Sequence, residues 1–197
     1  MSSKKRHLEL VRKHKERNKR LKERAAQCAY LNKRLMFGDY LENCDAALSQ
    51  MNPASGCIYR LCHHPNDPID IYPTALWDYE SLTPKEEEFQ DVVPPGSSFE
   101  DQFAHLRQYS PSFNISDIGA ASIFFARLKG KKNIDGFKKS KGSHIYAYNV
   151  YPKDGLMYIE PSGHILFQPY DDFKLEEHIA GDFTPIPIEE YLKNETE

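Results

Sequence analysis

Residues 58–69 read IYRLCHHPNDPI, a short apolar run with Arg60 near its centre that breaks into a polar, proline-containing stretch. Ile58, Tyr59 and Leu61 have the β-branched and aromatic character of a strand, so Cys57 to Leu61 is predicted as one. An isolated arginine in a strand means little. It gains meaning beside two distant features: a hydroxyl-bearing strand end at Ser112 ahead of a helix, and a late carboxylate at Glu177. A guanidinium offers a planar fork of donors that suits oxyanions such as phosphate, which lysine serves less well.

Around this strand the chain has 197 residues, 40% of them hydrophobic and 12% aromatic, enough for one core with appendages but not for two domains of equal size. No run of apolar residues is long enough to span a bilayer. The basic N-terminus lacks the apolar segment of an export signal, so a soluble protein without a Sec signal is expected. Cys28, Cys44, Cys57 and Cys62 are too few and too irregular for a disulfide framework, which suggests a reducing compartment. Cys62, His63 and His64 are neighbours on or beside a strand, where successive side chains diverge, so no metal site is expected.

The net charge of −3 conceals an asymmetry. From Lys4 to Arg34 thirteen Lys and Arg stand against Glu9, Glu16 and Glu23, so this segment carries +10 and the remainder −13. Lys4 to Met36 contains neither Gly nor Pro and is rich in helix formers, which predicts a basic helix with a thin apolar stripe. Such an arm suits an anionic partner, the acidic body itself, or simple solvation. Tyr30 is its lone aromatic residue, which argues against base stacking.

A short helix is predicted from Gly38 through Gln50, and Asn52 to Gly56 reads as a boundary, giving a helical N-terminal region over 1–52 and a globular domain over 53–197. Within the latter, Thr83 through Phe89 and Phe99 to Gln108 read as helices. Ser116 to Lys129 reads as a core helix with apolar residues at Ile118, Ala121, Phe124, Phe125 and Leu128, and Lys129 to Lys141 as an exposed loop. Strands are predicted at His144 to Val150, Leu156 to Ile159, Ile165 to Gln168 and Glu176 to Ala180. The fold class is therefore α+β.

The order of these features resembles the Arg-Ser-Glu class of mono-ADP-ribosyltransferases, the group of the cholera and pertussis toxin catalytic subunits. Tyr59-Arg60 followed by His63-His64-Pro65-Asn66-Asp67-Pro68-Ile69 is similar to the first motif. His105 within a hydrophobic helix, Ser112-Phe113-Asn114 ahead of Ala120-Ala121, and Glu177 followed by Pro185 and Ile188 are similar to the later ones. The resemblance spans Cys57 to Leu192. It departs from the family at Leu175, where a Glu or Gln often stands, at Cys62 in place of an acidic residue, and in a hydroxyl triplet reduced to Ser112.

The resemblance implies a split β-sandwich with flanking helices, NAD as co-substrate, and Glu177, Arg60 and Ser112 as catalytic residues. Tyr59, Arg60, His64, His105 and Ser112 would bind NAD, and Phe173 would lie in the region that recognises the target protein. It also implies a toxin or effector that modifies a macromolecule, acting in its own cell or delivered by a non-Sec route. Two other functions fit the residues: NAD hydrolysis by the same fold, and a non-catalytic binding protein that uses the basic arm. Taken singly, Arg60 reads as a strand-end ion pair, Ser112 as a turn residue, Glu177 as a solvated carboxylate and His105 as a surface residue. His144, His164 and His178 show no convergent spacing.

Overall fold

The computed structural model describes residues 33–78, 83–84, 93–128 and 134–194. Its strands are β1 (Asn52–Pro53), β2 (Gly56–Cys62), β3 (Trp77–Asp78), β4 (Thr83–Pro84), β5 (Ser112–Asn114), β6 (His144–Val150), β7 (Gly155–Ile159), β8 (His164–Pro169) and β9 (Ile186–Pro187). Helices α1 (Asp45–Leu48), α2 (Phe99–Gln108), α3 (Asp117–Leu128), α4 (Ile134–Lys141) and α5 (Ile188–Asn194) are joined by 3₁₀ turns at Gly38–Leu41, Pro68–Ile71, Thr74–Leu76 and Leu175–His178.

β2 pairs with β6 along its whole length, from Gly56 opposite Val150 to Cys62 opposite His144. This ladder lies within an antiparallel sheet of order β1-β7-β8-β5-β2-β6-β9, and β3 and β4 form a separate hairpin. The architecture is α+β, as expected. The predicted strands at 144–150, 156–159 and 165–168 are present, as is the helix Phe99–Gln108.

Side chains alternate across the pleat, so the sheet has two distinct faces. On one, Ile58, Cys62, Phe113, Tyr148, Ile165 and Phe167 form a core closed by Ile71, Phe173 and Leu175. Phe113 meets both Tyr148 and Phe167 edge to face, with centroids 6.0 and 5.6 Å apart. The opposite face carries two separate clusters. Leu156 and Leu166 pack beneath Leu106 of α2, Tyr109 just past its end, and Phe37, Leu41, Cys44, Ala47 and Met51. Tyr59, Leu61 and Ile145 pack beneath Ala120 and Ala121 of α3 and Ile188 of α5.

Two glycines permit close approaches. Gly142 has φ of +101°, and a β-carbon there would overlap the backbone of Cys62, across which Ser143 N donates to Cys62 O at 2.9 Å. A β-carbon on Gly119 would overlap the Asn114 amide, which α3 lies against.

Several expectations need correction. The chain divides into Met1–Arg34 and Leu35–Glu197, so residues 35–52 belong to the compact body rather than to an N-terminal region. The reason is burial: Phe37, Leu41, Cys44, Ala47 and Met51 each lie within the core. The helix predicted over 38–50 is broken between its two short turns, where Asn43 has φ of +63°. Residues 134–141 form α4 rather than a loop, with Lys138 ion-paired to Glu189. Ile118 is 69% exposed, although its spacing suggested core. Most of the basic helix expected from Lys4 to Met36, and the helix expected from Thr83 to Phe89 beyond Pro84, lie outside the described residues.

Phe167 sits fully buried between the rings of Phe113 and Phe173. Phe167→Ala is expected to lower the free energy of unfolding by about 3–5 kcal/mol, read as a shift in the urea midpoint. A change below about 1 kcal/mol would show that this core does not support the sheet.

Candidate active site

The site is built on β5, which β2 and β8 flank. Tyr59 of β2 pairs with Asn114, and Asn114 pairs with His164, the first residue of β8. With Phe113 committed to the aromatic core, the pleat turns Ser112 and Asn114 to the opposite face, which Tyr59 and His164 share. There the Ser112 hydroxyl lies 2.5 Å from Nε2 of His164, and Nδ1 of His164 lies 3.0 Å from Oε2 of Glu160. The Glu160 carboxylate also accepts from Nη2 of Arg107 at 3.1 Å. A ring protonated on Nδ1 satisfies both contacts, donating to Glu160 and accepting from the serine.

Local sequence explains how these groups meet. Glu160 and His164 flank the β7–β8 turn, in which Gly163 takes φ of +82°, Gly163 N donates to Glu160 O, and Glu160 N donates to His164 O. Arg107 comes from the last turn of α2. The side chains of Glu160 and His164 are 12% and 17% exposed, whereas Arg107 is 58% exposed at the rim.

Arg60 lies on the other face. Its Nη1 donates to the Ser112 carbonyl at 3.0 Å and its Nη2 to the Tyr72 carbonyl at 3.2 Å, and its guanidinium carbon sits 5.1 Å from the centroid of Phe113. Among the described residues no carboxylate pairs with it. Backbone carbonyl dipoles and an aromatic face replace the water that burial removes. Arg60 therefore grips the backbone of Ser112 while the serine hydroxyl points to the opposite side of the sheet.

Glu177 is not joined to Ser112. The segment predicted as a strand is the 3₁₀ turn Leu175–His178, and the Glu177 carboxylate is solvent-exposed and paired with Lys174 at 2.9 Å. Leu175 alone of this turn is buried, and the spacing of Lys174 and Glu177 suits a helical turn better than an extended one. The segment meets the sheet just beyond this turn, where Ile179 bridges to Tyr148 and Ala180 N donates to Ala147 O at 2.9 Å.

The other proposed ligands are likewise engaged elsewhere. Buried His105 reaches the Tyr40 carbonyl at 2.7 Å and leans on Tyr109, tying α2 to the segment before α1. His64 bonds the Tyr146 hydroxyl at 2.6 Å and stacks on His144. Phe173 is buried in the aromatic core, so it does not form a recognition surface. Cys62 points beneath Tyr148, and burial pushes its thiol well above the usual range. His63 turns instead to Asp70, so the three neighbours Cys62, His63 and His64 do not converge.

Glu160 and His164 are not singled out by any local sequence pattern. The turn marked by Pro161 and Gly163 has an ionisable residue at each end, but nothing local names Ser112 as the partner. Comparison with family models, curated proteins and solved structures yields no match. Among the described residues no helix is long and apolar enough to cross a membrane, and no cluster of three or more His, Cys, Asp or Glu is arranged to hold a metal ion.

The hydrogen bond that the His63 ring donates to the buried Asp70 carboxylate raises the pKa of His63 above its ordinary 6.5. A raised folded-state value contributes stability that is complete below the unfolded pKa and lost as pH rises through the folded one. The stability difference between wild type and His63→Gln is therefore expected to be larger at about pH 6 than at about pH 8, measured by urea unfolding at both. A difference that grows with pH would contradict the pairing.

Proposed function

We propose that this chain breaks the nicotinamide–ribose bond of NAD and passes the ADP-ribosyl group to an acceptor, at the strip of sheet formed by β2, β5 and β8. The observation that carries this reading is the union of Ser112 with a carboxylate through His164, on the strand hydrogen-bonded to the one that bears Tyr59 and Arg60. The order of arginine strand, serine strand and following helix found in the sequence is an order of neighbours in space. The carboxylate assigned from sequence to Glu177 is reassigned to Glu160.

Loss of nicotinamide leaves positive charge on the ribose, as glycoside cleavage does, and a fixed carboxylate stabilises that charge more in the transition state than in the ground state. Glu160, oriented by Arg107 and His164, supplies it in this reading. Ser112 engages the ribose hydroxyls, and Tyr59, whose ring packs edge to face on Phe183 beneath α3, borders the site on the same face. Arg60 acts through the backbone, holding β5 in place. The acceptor is a macromolecule, expected to be a protein, with water as its competitor. The split β-sandwich and a toxin or effector role belong to this same proposal.

Release of nicotinamide from labelled NAD by the full chain tests it. Glu160→Gln is expected to slow release by about 10²–10³-fold, the usual cost of removing one preorganised electrostatic group, whereas Glu177→Gln leaves the rate near wild type. The reverse pattern would return the role to Glu177. No release by folded wild-type protein would refute the activity itself.

A further inference from the structure

We infer that Ser112 is an activated nucleophile, primed by His164 and Glu160 to attack carboxylic esters and to form an acyl-serine intermediate. This inference does not rest on NAD chemistry, although it uses the same side chains.

The three groups come from three backbone positions: the first residue of β5, the first residue of β8 and the turn before it. Both ring nitrogens of His164 have partners, the hydroxyl at 2.5 Å on Nε2 and the carboxylate at 3.0 Å on Nδ1. These are the distances and polarity of a nucleophile, its base and the group that orients the base. A serine and a histidine paired diagonally across two strands would satisfy one another without the third member. Glu160 adds what a structural pair lacks: it selects the Nδ1-protonated ring and stabilises the imidazolium that forms when Nε2 takes a proton.

Burial favours the same roles. Glu160 is the least exposed of the two ionisable partners, His164 is slightly more open, and Ser112 is half-buried on the strip of sheet between the cluster under α2 and the cluster under α3. In this proposal an ester approaches the hydroxyl along that strip. Arg107 holds the Glu160 carboxylate in place from the rim.

In the reaction the Ser112 oxygen bonds to the ester carbonyl carbon while its proton passes to Nε2 of His164. The carbon–oxygen bond to the alcohol then breaks, and the alcohol leaves with that proton. Water repeats the sequence on the acyl-serine, giving the carboxylic acid and restoring the hydroxyl. No oxidant, reductant or further co-reactant is needed.

A tagged alkyl fluorophosphonate tests the nucleophile directly, since the serine oxygen bonds to phosphorus, fluoride leaves, and His164 takes the proton. The full chain is expected to carry one tag, located at Ser112 by peptide mass analysis. Ser112→Ala and His164→Asn should remove it, and Glu160→Gln should slow labelling by about 10²–10⁴-fold, the range for general-base and orienting groups. Near-ultraviolet circular dichroism identifies variants that fail to fold, and added imidazole should restore labelling to a folded His164→Ala protein. No tag on folded wild type, a tag on another residue, or labelling of Ser112 that persists in His164→Asn overturns the inference. Labelling without nicotinamide release would leave this inference standing and reject the NAD reading; nicotinamide release without labelling would do the opposite.

Discussion

Burial of Phe113 is the constraint from which the arrangement of the molecule's polar groups follows. The ring is wedged against Tyr148 and Phe167, and the Arg60 guanidinium lies over it. In a strand with a period of two, one committed side chain decides the direction of its neighbours. Ser112 and Asn114 must then face the opposite side, where Tyr59 and His164 also emerge. Arg60 reinforces the choice by bonding the carbonyl of Ser112 from the core side, so that the backbone is held while the hydroxyl remains available. Two carbonyls and an aromatic face compensate for part of the hydration that the guanidinium loses.

The helical cover divides the opposite face. α2 and residues 37–51 bury the half formed by Leu156 and Leu166, and α3 with α5 buries the half formed by Tyr59, Leu61 and Ile145. Each group shields apolar area, which is the main favourable contribution to folding, and each ends where the sheet becomes polar. Ser112 and His164 lie at that transition. The β7–β8 turn brings Glu160 to the same place, and Arg107 reaches it from α2. A carboxylate shielded to this degree needs compensating donors, and it has two.

Sequence pattern made much of the scaffold legible. The alternation of His144–Val150 marks a strand and Phe99–Gln108 reads as a helix, and both are present. Local rules failed where packing chose between alternatives. Residues 134–141 looked like a lysine-rich loop, yet an ion pair from Lys138 to Glu189 and the turn at Gly142 support a helix. Glu176–Ala180 looked extended, but a single buried leucine and an i,i+3 ion pair make a turn. His105 looked like a surface or ligand residue, and its acceptor is a carbonyl on a segment distant in sequence.

The chain's own order of residues determined the strands at 144–150, 156–159 and 165–168, the helix Phe99–Gln108 and an α+β fold, because apolar spacing and turn residues act over a few positions. Tertiary structure alone decided that the serine and the arginine side chains face opposite sides, and that the serine meets His164 and Glu160 rather than Glu177. The reason is that strand pairing and pleat direction depend on contacts between residues far apart in sequence, and no local pattern encodes which strand lies beside which.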